Sequence, residues 1–243
     1  MALRVYSQFV SPRTLCIDVG ANVGDVTQMF LDLGACVVAV EPQRENIAVL
    51  ERRFHGNPDV TIVRKGVAAS PGERELLVCN SCDCSSMDPE FVACVSASGR
   101  LPSSDYVWDS KQTVEVTTLD LLIRQFGRPA FVKVDVEGFE YEVIRTLVAP
   151  VAAMSFEFTP ERFQPTLQCI EHVASLGTVE FNYTLRRSMD FVLPRWVAGD
   201  HLCHLLRTAS FPIYTGPAGD VYVRIKSQGN SQAKSGRSVR TSA

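Results

Sequence analysis

A chain of 243 residues, 46% hydrophobic and 21% charged, is long enough to bury one sizeable core. Its formal net charge of −3 offers no basic face for nucleic acid, and no apolar run approaches the about 20 residues of a membrane span. The first residues also lack the long apolar stretch of a signal peptide, so the expectation is a cytoplasmic protein that binds neither nucleic acid nor membrane.

Strand-type and helix-type runs alternate from residue 14 onward. Residues 14–19 read as a strand. Residues 23–33 read as a helix, with Val23, Val26, Met29, Phe30 and Leu33 at 3–4 spacing and Gly34 as its stop. A strand over 36–40, a helix over 44–54 and a strand over 60–63 follow. Residues 66–120 interrupt the pattern: a turn at Pro71-Gly72, a short strand over 73–79, and a long loop over 80–109 rich in Ser, Cys, Pro and Asp. A strand over 113–117 and a helix over 119–126 lead back to regular alternation. That comprises strands at 130–134, 153–158 and 179–185, and helices at 139–148, 163–176 and 195–207. A last strand covers 220–225. Alternation of this kind predicts a doubly wound α/β fold with a parallel sheet and right-handed crossovers. One domain over 1–226 is expected, and 227–243, nearly devoid of apolar residues, reads as a disordered tail.

Eight cysteines are present. Cys79, Cys82, Cys84 and Cys94 cluster, but their spacing is not that of two paired zinc knuckles, so reduced thiols and no metal are expected.

The chemistry-bearing runs stand at strand ends. Asp18-Val19-Gly20-Ala21-Asn22-Val23-Gly24 closes the first strand, and Glu41 closes the second, 21 residues after Gly20. A dinucleotide site wants a middle glycine so that backbone can approach a pyrophosphate, and this turn lacks it. Asp18 would oppose a pyrophosphate but suits a cofactor with positive charge and no phosphate. S-adenosylmethionine is such a cofactor. Asp18 can face its amino-acid end, and the two oxygens of Glu41 can accept its ribose hydroxyls. The alternative is an NAD-dependent oxidoreductase sharing the Glu41 contact, or a non-catalytic member of the fold.

These runs, together with Val132-Lys133-Val134-Asp135-Val136-Glu137-Gly138-Phe139-Glu140 and the preceding Thr117-Thr118-Leu119-Asp120, resemble the signature of FkbM-type methyltransferases. The resemblance implies a seven-stranded, mostly parallel sheet in three α/β/α layers. It implies S-adenosylmethionine as cofactor and methylation of a hydroxyl on a small molecule or sugar. Cofactor contacts are expected from Asp18, Gly20, Ala21, Asn22, Gly24 and Glu41, and from Gly66 and Val67 after the third strand. Reacting groups in such sheets lie beyond the C-terminal strand ends, so Asp135 is the first candidate for orienting the acceptor or serving as base, then Glu157, then Glu137. The same three could hold Mg2+, although no metal is expected. Lys133, inside an apolar strand, should pair with Asp18 or Glu157. The acceptor's identity and the oligomeric state stay open.

Overall fold

The computed structural model describes residues 3–81, 83–102, 104–185, 190–208 and 218–226. The expected tail over 227–243 lies outside them. In chain order the elements are α1 (Leu3–Tyr6), β1 (Leu15–Val19), α2 (Asp25–Asp32), β2 (Cys36–Val40), α3 (Arg44–Arg53), β3 (Val60–Val63), β4 (Gly66–Val67), β5 (Gly72–Val78) and α4 (Pro89–Ser98). Then come β6 (Ser110–Thr117), α5 (Leu119–Phe126), β7 (Phe131–Val134), α6 (Glu140–Ile144), β8 (Ala153–Phe158), the 3-10 turn Pro160–Arg162, α7 (Phe163–Leu176), β9 (Val179–Leu185), α8 (Gly199–Thr208) and β10 (Gly219–Ile225).

Seven strands form one sheet in the order β3-β2-β1-β7-β8-β10-β9. β10 is antiparallel to both neighbours and the other pairings are parallel. This is the expected doubly wound, mostly parallel sheet. Strand order reverses direction between β1 and β7, the switch point where ligands bind in such sheets.

Strand alternation sends one set of side chains to each face. Ile17, Val19, Val38, Val132, Val134, Met154 and Phe156 pack under α5, α6, α7 and α8, in the larger core. Cys16, Val37, Phe131, Ala153 and Tyr222 face the other way, against Val5 and Tyr6 of α1 and Phe30 of α2. Tyr6 meets Phe30 and Phe131 edge-on, with ring centroids 5.0 and 5.5 Å apart. Toward the strand C-termini this second face turns polar. Asp18, Lys133, Ser155, Tyr222 and Asn182 stand side by side across β1, β7, β8, β10 and β9.

Residues 66–120 hold both expected strands and one correction. β5 and β6 join β4 in a separate three-stranded sheet, order β4-β6-β5. The supposed loop over 80–109 contains α4. Asp88 caps that helix by accepting from the Glu90 N–H, Pro89 stands at its first turn, and only Phe91 and Val95 are buried from it. So few buried positions left little periodicity to read. α6 is also shorter than expected over 139–148, and α8 starts at Gly199 because Val197 pairs with Phe181 as a bridge. No helix among the described residues is long and apolar enough to cross a membrane.

Candidate active site

A cavity of about 840 Å³ opens at the C-terminal ends of β1, β2 and β7. Its floor is the turn after β1. The Gly20 and Ala21 N–H groups donate to the Val40 carbonyl at 2.9 and 3.0 Å, which bends the chain across the end of β2. Gly20 has φ 80°, and a Cβ there would stand 1.8 Å from the Asp135 carbonyl oxygen. The backbone of the turn therefore lies directly on the end of β7, and only glycine fits.

Glu41 is 5% exposed, and its two oxygens accept the N–H groups of Asn22 (2.9 Å) and Gln43 (2.8 Å). Burial pushes this carboxyl up to about 7 despite those two bonds and a third from the Asn46 side chain. Asp18 is wholly buried. Its Oδ2 accepts from Thr27 Oγ1 at 2.7 Å, while Oδ1, like Asn22 Oδ1, has no partner among the described residues. Burial raises the Asp18 carboxyl, against the opposing pull of Lys133 and Thr27. Gly66 and Val67 line the far side of the cavity from β4. Gly24 does not line it; a Cβ there would stand 2.5 Å from the Phe54 ring, so this glycine lets the turn pack on α3 instead.

The opposite wall carries the other acids. Asp135 follows β7, its N–H bonded to the Val19 carbonyl at 3.0 Å. Lys133 is 6% exposed and its Nζ lies 2.6 Å from Asp135 Oδ2. The expected partners Asp18 and Glu157 are thus corrected to Asp135, which shares the sheet face with Lys133 two residues along the chain. Burial works against the Lys133 ammonium, but Asp135 and Asp18 outweigh it and hold it protonated. Glu137 sits at φ 54°, left-handed for a side-chain-bearing residue, and its carbonyl accepts from Ser86 Oγ at 2.6 Å. Non-glycine residues in that region cost about 1–3 kcal/mol and cluster at functional sites. Asp135, Glu137 and Glu157 bring one oxygen each within 4.8 Å of one another. Burial first, and then mutual repulsion, pushes Glu137 and Glu157 well above the usual carboxylate range. Glu140 folds back on its own turn. Its Oε1 accepts the Val136 and Gly138 N–H groups at 3.1 and 3.3 Å.

The sequence residues thus meet in one cavity, save Gly24 as described. Missed were Asp220 at the start of β10, Tyr6, Asp83 and Arg100; the last two form a wall with Tyr106, whose aromatic type alone did not tell pocket from core. That wall is anchored to the 3-10 turn after β8: Arg100 pairs with Glu161 at 2.6 Å, and Arg162 with Asp88 at 2.7 Å. Cys79 and Cys84 are buried near it, and burial raises both thiols, so they are unreactive.

Among solved structures, the chain is similar to a precorrin-6y C5,15-methyltransferase from Geobacter metallireducens GS-15 (10% identity, TM-score 0.48, 93% of this chain and 87% of that one). It is also similar to an rRNA methylase from Streptococcus thermophilus (11%, 0.45, 93% and 95%) and an O-methyltransferase from Bacillus cereus in complex with S-adenosylhomocysteine (12%, 0.46, 93% and 78%). At such identities the likeness goes no further than the fold. No curated protein matches the sequence. Residues 18–192 match the model of the methyltransferase FkbM domain, well over half the chain, and they include the β1 turn, Glu41 and the Lys133–Glu140 run. The chain belongs to the FkbM methyltransferase family, whose methyl donor is S-adenosylmethionine.

Proposed function

We propose that this chain methylates a hydroxyl group of a small molecule or sugar. The observation that carries the reading is the single cavity, in which an acid-lined, phosphate-free cradle continues into a second group of acids beyond β7 and β8. The cradle fits the cofactor: Asp18 Oδ1, without a partner among the described residues, suits an ammonium, and the Glu41 carboxylate lining the cavity suits a ribose diol. Gly20, Ala21 and Asn22 would lie along it, with Gly66 and Val67 at its far end. When bound, S-adenosylmethionine supplies an electrophilic methyl on a sulfonium.

Asp135, Glu157 and Glu137 face the acceptor in this reading. Asp135, fixed by Lys133, orients it. Burial and repulsion push Glu137 and Glu157 well above the usual carboxylate range, and a protonated carboxyl donates as well as accepts hydrogen bonds, which suits hydroxyl recognition. The Lys133 ammonium already supplies positive charge beside Asp135, and the proposed reaction uses no metal.

The full chain should bind S-adenosylhomocysteine and not NADH in isothermal titration. It should transfer tritiated methyl to hydroxyl compounds with chelator present. NADH binding without S-adenosylhomocysteine binding, or label appearing on RNA rather than on small hydroxyl compounds, would overturn the reading.

A further inference from the structure

Most acids in the cavity are already committed. Thr27 holds Asp18, backbone N–H groups hold Glu41, and Lys133 holds Asp135. Asp220, like Glu137 and Glu157, makes no side-chain hydrogen bond or ion pair to any described residue, and of these three it alone stands on the antiparallel strand β10. Its place follows from strand direction. β10 runs against β8, so its first residues arrive at the edge where the parallel strands end. There Asp220 stands opposite Glu157 on β8 and Thr184 on β9. Val134 is level with Phe156, so Asp135 follows on level with Glu157. Asp135, Glu157 and Asp220 therefore form a row on three adjacent strands, about 4.8 Å apart per step. Asp220 ends the row, half-buried and lining the cavity.

We infer that Asp220 is the general base for the acceptor hydroxyl, an assignment that rests on the hydroxyl-methylation reading above. The acceptor O–H proton moves to the Asp220 carboxylate as the oxygen forms its bond to the methyl carbon. The C–S bond breaks, and its electron pair remains on the sulfur of S-adenosylhomocysteine. Asp220 then releases the proton to solvent. The groups facing it suit that task. Burial and Asp135 raise its carboxyl to about 6 while Lys133 opposes them, so it is mostly ionised at neutral pH yet basic enough to accept a proton. Burial, and then the neighbouring acids, also raise the carboxyl of Glu157 across the strand pair. Tyr6 from α1 and Tyr222 on the same strand face it with hydroxyls that burial keeps neutral.

The test uses the full chain with tritiated S-adenosylmethionine and methyl glucoside, methyl rhamnoside, myo-inositol and catechol as acceptors. Asp220→Asn should lower kcat by about 10²–10⁴-fold. Its S-adenosylhomocysteine affinity should stay within about threefold, and the acid limb of the wild-type pH profile should disappear. Unchanged kcat, or loss of cofactor binding in step with activity, overturns the assignment. A wild-type chain that binds S-adenosylhomocysteine but methylates none of the four counts against the hydroxyl reading instead. Asp220 is then judged by the carbon-13 resonance of its carboxyl in the free chain, identified by its absence from Asp220→Asn. Titration near pH 6 supports a poised base, and titration in the ordinary Asp range near pH 4 overturns it.

Discussion

Gly20→Ala should weaken S-adenosylhomocysteine binding by at least about 100-fold. Two costs combine at this position. An alanine at φ 80° is strained by about 1–2 kcal/mol, and its Cβ would lie 1.8 Å from the Asp135 carbonyl oxygen and 2.9 Å from the carbonyl carbon. Backbone on both sides must then separate. The turn after β1 holds Asn22 against Glu41, and the end of β7 carries Asp135, so the separation pulls the two halves of the cavity apart. Gly56→Ala is the control. It has φ 72° with nothing within 4 Å of its Cβ, so it bears the conformational cost alone. Differential scanning fluorimetry should show both variants destabilised, and titration should show affinity lost only in Gly20→Ala. Equal affinities in the two would mean the turn does not hold the cofactor.

The second large effect is on pH dependence. The cofactor-free chain should be most stable near pH 5 and lose stability steadily toward pH 8. Burial raises Glu41 and Glu140 to about 7, raises Asp220 to about 6, and moves Asp18, Glu137 and Glu157 in the same direction. Between the unfolded values near 4 and these folded values, the native state holds protons that the unfolded chain has released. Stability therefore falls as pH rises through the folded pKa values, the reverse of a protein with salt-bridged carboxylates. Glu41 and Glu140 are each less than a tenth exposed, and a rise from 4.5 to about 7 corresponds to about 3 kcal/mol apiece. Glu41→Gln, neutral at every pH, should remove its share and flatten the curve. Melting curves from pH 4.5 to 8 decide the matter, and a midpoint that rises or stays level over that range contradicts it.

Much of this was legible in the chain because local pattern and local structure coincide. The strands at 36–40, 60–63, 153–158 and 179–185 and the helices at 119–126 and 163–176 fall where apolar spacing places them. The cofactor cradle was legible for the same reason: Asp18 and Glu41 each end an apolar run. What escaped depends on distance along the chain. The β4-β6-β5 sheet joins Gly66 and Val67 to Val116 and Thr117, a pairing no window of sequence contains. The Lys133 partner was misjudged because Asp135, two residues along the chain, and Asp18, on the neighbouring strand, both act on the ammonium and only the rotamers choose between them. Asp220 was overlooked because its place at the active edge follows from β10 running backward, which its own residues do not disclose.

Isothermal titration of the full chain with S-adenosylhomocysteine, beside Glu41→Ala, tests the central claim most directly. The wild-type chain should bind one equivalent. The variant should remain folded and bind at least about 30-fold more weakly, since hydrogen bonds to a charged group contribute about 1.5–3 kcal/mol each. Equal affinity of the two chains, or no binding by well-folded wild-type protein, would contradict a methyl-donor site built on the ends of β1 and β2.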